Sequence, residues 1–227
     1  MNAGGQHEAP ADAGRQAPDR EAPDREAPDR RRTDQQSEFR FDGGATWQNL
    51  LGTRGQSFGP HPIERLGTVE RLAAWLAHCE LSPDLAPAEA DLAKTLSLRD
   101  ALSALALAVV DGRPPEPSVV ARVVEFAAAD PGPVRVALVQ SVGGGEPALR
   151  RAAPADTTEA LGRIARQALE QLTGPERHQL VSCAEHDCRW VFVDPTGRRR
   201  WCPSPSCASR GRVRALRARR RTDADRP

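Results

Sequence analysis

The sequence has no tyrosine, a single lysine (Lys94), a single methionine, and aromatic residues at only 4% of its 227 positions. Arginine therefore carries nearly all of the positive charge. Nowhere do about 18 apolar residues run together, which excludes an apolar helix able to span a bilayer. The N-terminus lacks the apolar core and small-residue cleavage site of a secretion signal, so the expectation is a soluble, cytoplasmic protein that does not engage a membrane. Hydrophobic residues at 39% and charged residues at 28% are ordinary for a globular chain of one domain, or one domain plus a small module. The 20 prolines and 18 glycines point to a segment without packed structure.

The net charge of +1 conceals a partition. Residues 1–37 carry 6 Arg against 8 Asp and Glu, residues 38–176 carry 13 Lys and Arg against 18, and residues 177–227 carry 13 Arg against 5. The last segment is thus +8 and the body −5. A basic tail on an acidic body implies a polyanionic partner for the tail, or a contact between the two parts.

The first 37 residues contain a five-residue repeat, Ala17-Pro-Asp-Arg-Glu, Ala22-Pro-Asp-Arg-Glu, Ala27-Pro-Asp-Arg-Arg. They hold no large apolar residue after Met1 and a proline at every fifth position of the repeat, so they are expected to form a disordered leader. From residue 38 to 175 the chain reads as a domain. Phe39, Phe41, Trp47, Leu50 and Leu51 lead in, and a loop rich in Gly and Pro runs from Gly52 to Pro62. Thr68 caps a helix carrying Val69, Leu72, Ala73 and Leu76 on one face. Further helices are expected over Ala88–Val110, Ser118–Ala129 and Asp156–Leu172, the last closed by Gly174-Pro175. Val134–Val142 partly alternates and reads as a strand, with Gly143–Pro147 turning into a partner at Ala148–Ala152. The predicted class is α+β: a mostly helical N-terminal domain with a small antiparallel sheet, then a small module over 176–222 and a short tail at 223–227. Trp47, Trp75, His61 and His78 are candidates either for a ligand pocket or, more simply, for core.

Four of the five cysteines fall in one stretch, Cys183-x4-Cys188-x13-Cys202-x4-Cys207. Two cysteine pairs on a short connector suit a tetrahedral thiolate site, and zinc suits four thiolates best. Two disulfides are the competing reading, at odds with a reducing compartment. His186, inside the first gap, is a reserve ligand. Cys79 lies on a helix beside Trp75 and Leu76 and reads as core. Arg189–Asp194 has the residue types of a strand, Pro195–Gly197 of a turn and Arg198–Trp201 of a returning strand. The metal is therefore expected to staple a β-hairpin, and to supply most of that module's folding energy.

After Cys207 the chain is an arginine-rich helix candidate. Arg210, Arg214, Arg217 and Arg221 recur at helical spacing on one face, Arg212, Arg219 and Arg220 broaden the basic surface, and Val213 and Leu216 are expected to pack back on the module. Such a helix can lie in a DNA major groove with guanidiniums on phosphates and guanine edges. Arg198, Arg199, Arg200, Arg210, Arg212, Arg214, Arg217 and Arg221 are the candidate DNA contacts.

These residues resemble the CGNR zinc-finger family of bacterial transcription regulators. The matching positions are Cys183, Cys188, Phe192, Asp194, Arg199, Arg200, Trp201, Cys202, Cys207 and Arg210. Cys207-Ala-Ser-Arg210 stands where the family has Cys-Gly-Asn-Arg. Upstream, Gly43-Gly44…Asn49…Thr53, Leu72-Ala-Ala-Trp-Leu76, Leu98-Arg-Asp-Ala-Leu102 and Ile164-Ala-Arg-Gln-Ala168 resemble the ABATE domain that precedes this finger. The resemblance implies a stress- or ligand-responsive DNA-binding regulator.

Three function classes follow. The first is a zinc-dependent DNA-binding regulator whose N-terminal domain takes a small-molecule or protein signal, with homo-oligomerisation left open. The second is a zinc-stapled adaptor that binds protein or RNA. The third, a zinc or redox enzyme, is disfavoured, because four cysteine ligands leave zinc no open position, and neither a catalytic residue set nor an organic cofactor site is visible. Thiolates that release zinc on oxidation would keep a redox switch open.

Overall fold

A computed structural model describes residues 1, 38–132, 136–141 and 145–224 of the chain. The expected leader after Met1, residues 133–135 and 142–144 around the expected strand 134–142 and its turn, and the last three residues lie outside the described residues; the turn at Gly143–Pro147 is shorter than expected, since a strand already begins at Gly145. Helix α1 (Thr46–Leu51) leads into a short ladder of β1 (Arg54–Gly55) and β2 (Ile63–Glu64). Helices α2 (Val69–His78), α3 (Glu89–Val110) and α4 (Pro117–Ala127) follow, then the antiparallel pair β3 (Val136–Ser141) and β4 (Gly145–Arg151). Helix α5 (Thr157–Thr173) ends in a 3-10 turn (Pro175–Gln179) that enters β5 (Leu180–Ser182), β6 (Val191–Val193) and the terminal helix α6 (Pro205–Ala224).

Local chemistry sets the boundaries. Thr68 caps α2 by accepting a hydrogen bond from the Arg71 amide at 3.3 Å. Asp156 caps α5 by accepting from the Glu159 amide at 2.8 Å, and the Asp91 carboxylate reaches back to the Ala88 amide at 3.0 Å at the start of α3. Pro117 opens α4 at its first turn, where a missing N–H costs nothing.

Helices α3, α4 and α5 pack together with α1 across them, around a core of Trp47, Leu50, Leu72, Leu76, Leu98, Leu102, Leu161 and Ile164. The residues on which the family resemblance rests meet here. Arg99 of α3 donates to Glu64 at 2.7 and 2.6 Å and to Thr53 Oγ1 at 3.0 Å, while Asn49 Oδ1 accepts from the Gly43 amide at 3.0 Å. Burial, the largest single influence, would raise the Glu64 carboxyl, but the Arg99 fork and the backbone amides of Leu66 and Arg65 together outweigh it and hold Glu64 below the usual carboxylate range. Trp47 and Trp75 are both fully buried in the core, whereas His61 is exposed and His78 stacks on Phe41 at 3.8 Å. The four do not share a pocket.

One expectation is corrected. Strand β6 pairs with β5 upstream, Leu180 opposite Val193 and Ser182 opposite Val191, so the hairpin spans the first cysteine pair. Residues 198–201 are not a strand. The Asp194 carboxylate, which accepts from Thr196 N, Thr196 Oγ1 and Arg199 N at 3.1, 2.7 and 2.6 Å, curls the chain out of the ladder instead. Arg200 then crosses the first knuckle, where its carbonyl accepts from the Ala184 amide at 2.9 Å.

Candidate metal centre

Cys183 and Cys188 stand on the loop between β5 and β6, Cys202 just before α6, and Cys207 in the first turn of α6. Their four sulfurs lie within 4.8 Å of one another, with Cys188 Sγ and Cys202 Sγ 4.0 Å apart. A tetrahedron of Zn–S bonds near 2.3 Å has edges of about 3.8 Å, so the set fits zinc, and all four cysteines are free of disulfides. Cys183, Cys202 and Cys207 are buried and Cys188 is half-buried. The sulfurs are electrostatically frustrated as free thiols. Hydrogen bonds from the other three hold Cys183 far below the ordinary thiol range, and the same contacts push Cys188 and Cys202 far above it. A bound dication meets four thiolates at once, and zinc is the cofactor that this set takes. Four protein ligands close the coordination sphere, so the role of the metal is structural.

The knuckle is tightened by its backbone. The Glu185 carbonyl accepts from the amides of Cys188 and Arg189 at 2.9 and 3.1 Å, and Arg189 takes a left-handed conformation at φ 50°. The two residues beyond a C-x2-C spacing let Glu185, His186 and Asp187 form a second group. Glu185, 1% exposed, pairs with Arg214 of α6 at 2.7 Å, Asp187 Oδ2 lies 3.8 Å from the same guanidinium, and His186 Nδ1 meets Arg214 Nη1. His186 faces these carboxylates, Glu185 and Asp187 each at 3.0 Å, rather than the sulfurs. Arg210 donates to Cys207 Sγ at 3.6 Å. Contacts of this outer kind orient metal ligands and fix their charge.

The finger is built into the helical domain. Trp190, 7% exposed, donates its indole N–H to the Gln48 carbonyl at 2.8 Å. Gly43 and Gly52 leave it room: a Cβ at either would sit 3.0 Å from Trp190 Cζ2, so the ring would have to shift. Arg40 lies over the Trp190 ring at 4.6 Å, Val193 N donates to the Gly43 carbonyl at 3.1 Å, and Arg189 pairs with Asp111 at 2.7 Å. Val191, Phe192 and three of the cysteines belong to the same hydrophobic cluster as the helices. Sequence reasoning missed this seam, and it missed the Glu185–Arg214 pair; the one available signal was a buried-type tryptophan beside the second cysteine.

Of the eight arginines singled out in the sequence, Arg198, Arg199 and Arg200 are exposed on the loop before Cys202, and Arg200 also stacks over Trp201 at 5.3 Å. On α6, Arg212, Arg217 and Arg221 are exposed and, among the described residues, have no ion-pair partner. Arg210 and the head group of Arg214 turn to the finger instead. Val213 and Leu216, expected to pack back, are instead 45% and 51% exposed.

Two family models match the chain in succession. One, described as "Putative stress-induced transcription regulator" (ABATE), covers residues 44–175, and the other, described as CGNR zinc finger, covers residues 179–220. No curated protein matches the chain. Both models describe regulatory or binding modules rather than enzymes. Among the described residues, no helix is long and apolar enough to cross a membrane.

Proposed function

Because the chain belongs to the ABATE family and carries a CGNR zinc finger, we propose that it is a zinc-dependent DNA-binding transcription regulator. The observation that carries the reading is α6, an arginine-rich helix rooted at Cys207 in the metal site and exposed from Arg212 to Arg221. Guanidiniums in such an array neutralise phosphates and, where the helix enters the major groove, fork onto guanine O6 and N7. Arg198, Arg199, Arg200, Arg212, Arg217 and Arg221 supply the contacts. Arg210 and Arg214 act on DNA chiefly by holding α6 to the finger, and Arg219 and Arg220 add charge. The helical domain receives the signal, a small molecule or a partner protein. The protein works in the cytoplasm, on the nucleoid when bound, as a monomer or a symmetric oligomer.

The test is fluorescence anisotropy with a labelled random-sequence duplex of about 25 base pairs. Displacement of condensed counterions by five or more arginines makes affinity fall about a hundredfold or more between 50 and 200 mM salt. Chelation of zinc abolishes binding, and Arg217→Gln weakens it with zinc retained. Zinc-loaded protein without salt-sensitive affinity for duplex DNA overturns the proposal in favour of a protein- or RNA-binding adaptor.

A further inference from the structure

On the face of the helical domain next to the knuckle, the loop after α1, the middle of α3 and the start of α4 line an open cavity of about 400 Å³. That lies within the range of small-molecule sites. Leu51, Ala104, Leu107 and Val119 give it an apolar lining, and Phe58, also in the lining, is 56% exposed, without the burial that an aromatic ring of the core receives.

Charge decides what the cavity would take. Three guanidiniums, Arg54, Arg99 and Arg113, line it against two carboxylates, Asp100 and Glu116. The carboxylates are accounted for: Asp100 lies 3.4 Å from Arg54, and Glu116 stands at the N-terminal end of α4, where the helix dipole favours negative charge. The guanidiniums are under-used. Among the described residues Arg54 has only that long contact, and Arg113 shares Asp111 with Arg189. Arg99 forks onto Glu64, yet its buried Nε makes no hydrogen bond among the described residues, and Asp100 Oδ1 lies 3.8 Å from it. Arg99 is thus held by Glu64 and Asp100, which leaves Arg54 and Arg113 as the guanidiniums open to a ligand.

We propose that this cavity binds a small amphipathic carboxylate, a ring or branched chain bearing one acid group. Arg54 and Arg113 take the acid group, and the apolar lining, Phe58 included, receives the apolar body. Binding stands on the cavity alone. Its regulatory meaning rests on the proposed function, and the walls supply the connection. The Phe58 amide donates to the Asp187 carbonyl at 3.0 Å, and Asp111 joins Arg113 to Arg189, so two sides of the cavity each touch the zinc knuckle.

The experiment is calorimetric titration of the full-length, zinc-loaded chain with benzoate, phenylacetate and 4-methylpentanoate, with benzylamine and benzyl alcohol as controls. The expected result is saturable one-to-one binding of at least one carboxylate and none of benzylamine. Arg54→Gln with Arg113→Gln should weaken it about tenfold or more, and Ala104→Trp, at an exposed position of the lining, should block it. Each variant should keep its zinc and its melting temperature. Absence of binding by all three carboxylates, equal binding of benzylamine, or indifference to Ala104→Trp would overturn the proposal. No arm contains DNA, so this result and the DNA-binding result can fail independently.

Discussion

Gly211 marks the closest approach within the finger, since a Cβ there would stand 2.5 Å from Trp201 Nε1. Gly211→Ala adds about 1 kcal/mol of helix propensity but overpacks the Trp201 contact by about 1–3 kcal/mol. Net destabilisation, zinc retention and a red-shifted Trp emission are the expected outcome in urea titrations. At Glu64 the prediction concerns pH. Its folded pKa is depressed, so its contribution is complete above the unfolded value of about 4.3 and drains away as pH falls through the folded one. The stability difference between wild type and Glu64→Gln should therefore stay constant from pH 7 down to about 5.5 and shrink below about 4.3. Acid loss of zinc is common to both proteins and cancels in that difference. The cysteine quartet was legible in the sequence because ligand spacing is a local property. The Glu185–Arg214 pair was not: nothing local couples two residues on opposite sides of the metal loop, and a glutamate between cysteines reads as solvated until its burial is known.

Helix α6 separates two kinds of arginine. Arg210 and Arg214, four residues apart, share the face that meets Cys207 and Glu185, while Arg212 and Arg219, two turns apart, lie on the opposite face. Arg214→Gln should accelerate amide exchange along the second half of α6 in the absence of DNA. Arg212→Gln with Arg219→Gln should leave exchange unchanged and lower DNA affinity and its salt slope. Equal exchange in both variants would deny the Arg214 pair its positioning role. Among the elements, the start of α2 and both ends of α3 through α5 were readable within a residue or two, because Thr68 and Asp156 mark starts and apolar residues recur at helical period. The partner of β6 was not, since alternation over 189–194 identifies a strand without saying which neighbour it joins. A three-residue β5 emerging from a 3-10 turn carries no period of its own.

At the scale of the molecule, metal site and helical domain share one hydrophobic cluster, joined at Trp190. Trp190→Ala is expected to cost about 3–5 kcal/mol in urea unfolding, and to weaken zinc retention although no ligand is touched. Chelation should likewise raise hydrogen exchange in α3 as well as in the finger, because β5 and β6 rest against that helix. An unchanged α3 would mean that the two parts fold separately. The sequence showed two successive units but not this seam, since a glycine whose role is to leave room for a distant indole looks like any loop glycine.

The seam also limits how such proteins can be recombined. A finger spliced onto a foreign receptor at residue 176 would arrive without Gly43, Gly52 and the Gln48 carbonyl, leaving its indole wet and its N–H unanswered. Working chimeras should exchange the ligand-facing loops and keep the stretch around α1 with the finger it receives, which makes the inherited cassette discontinuous in sequence.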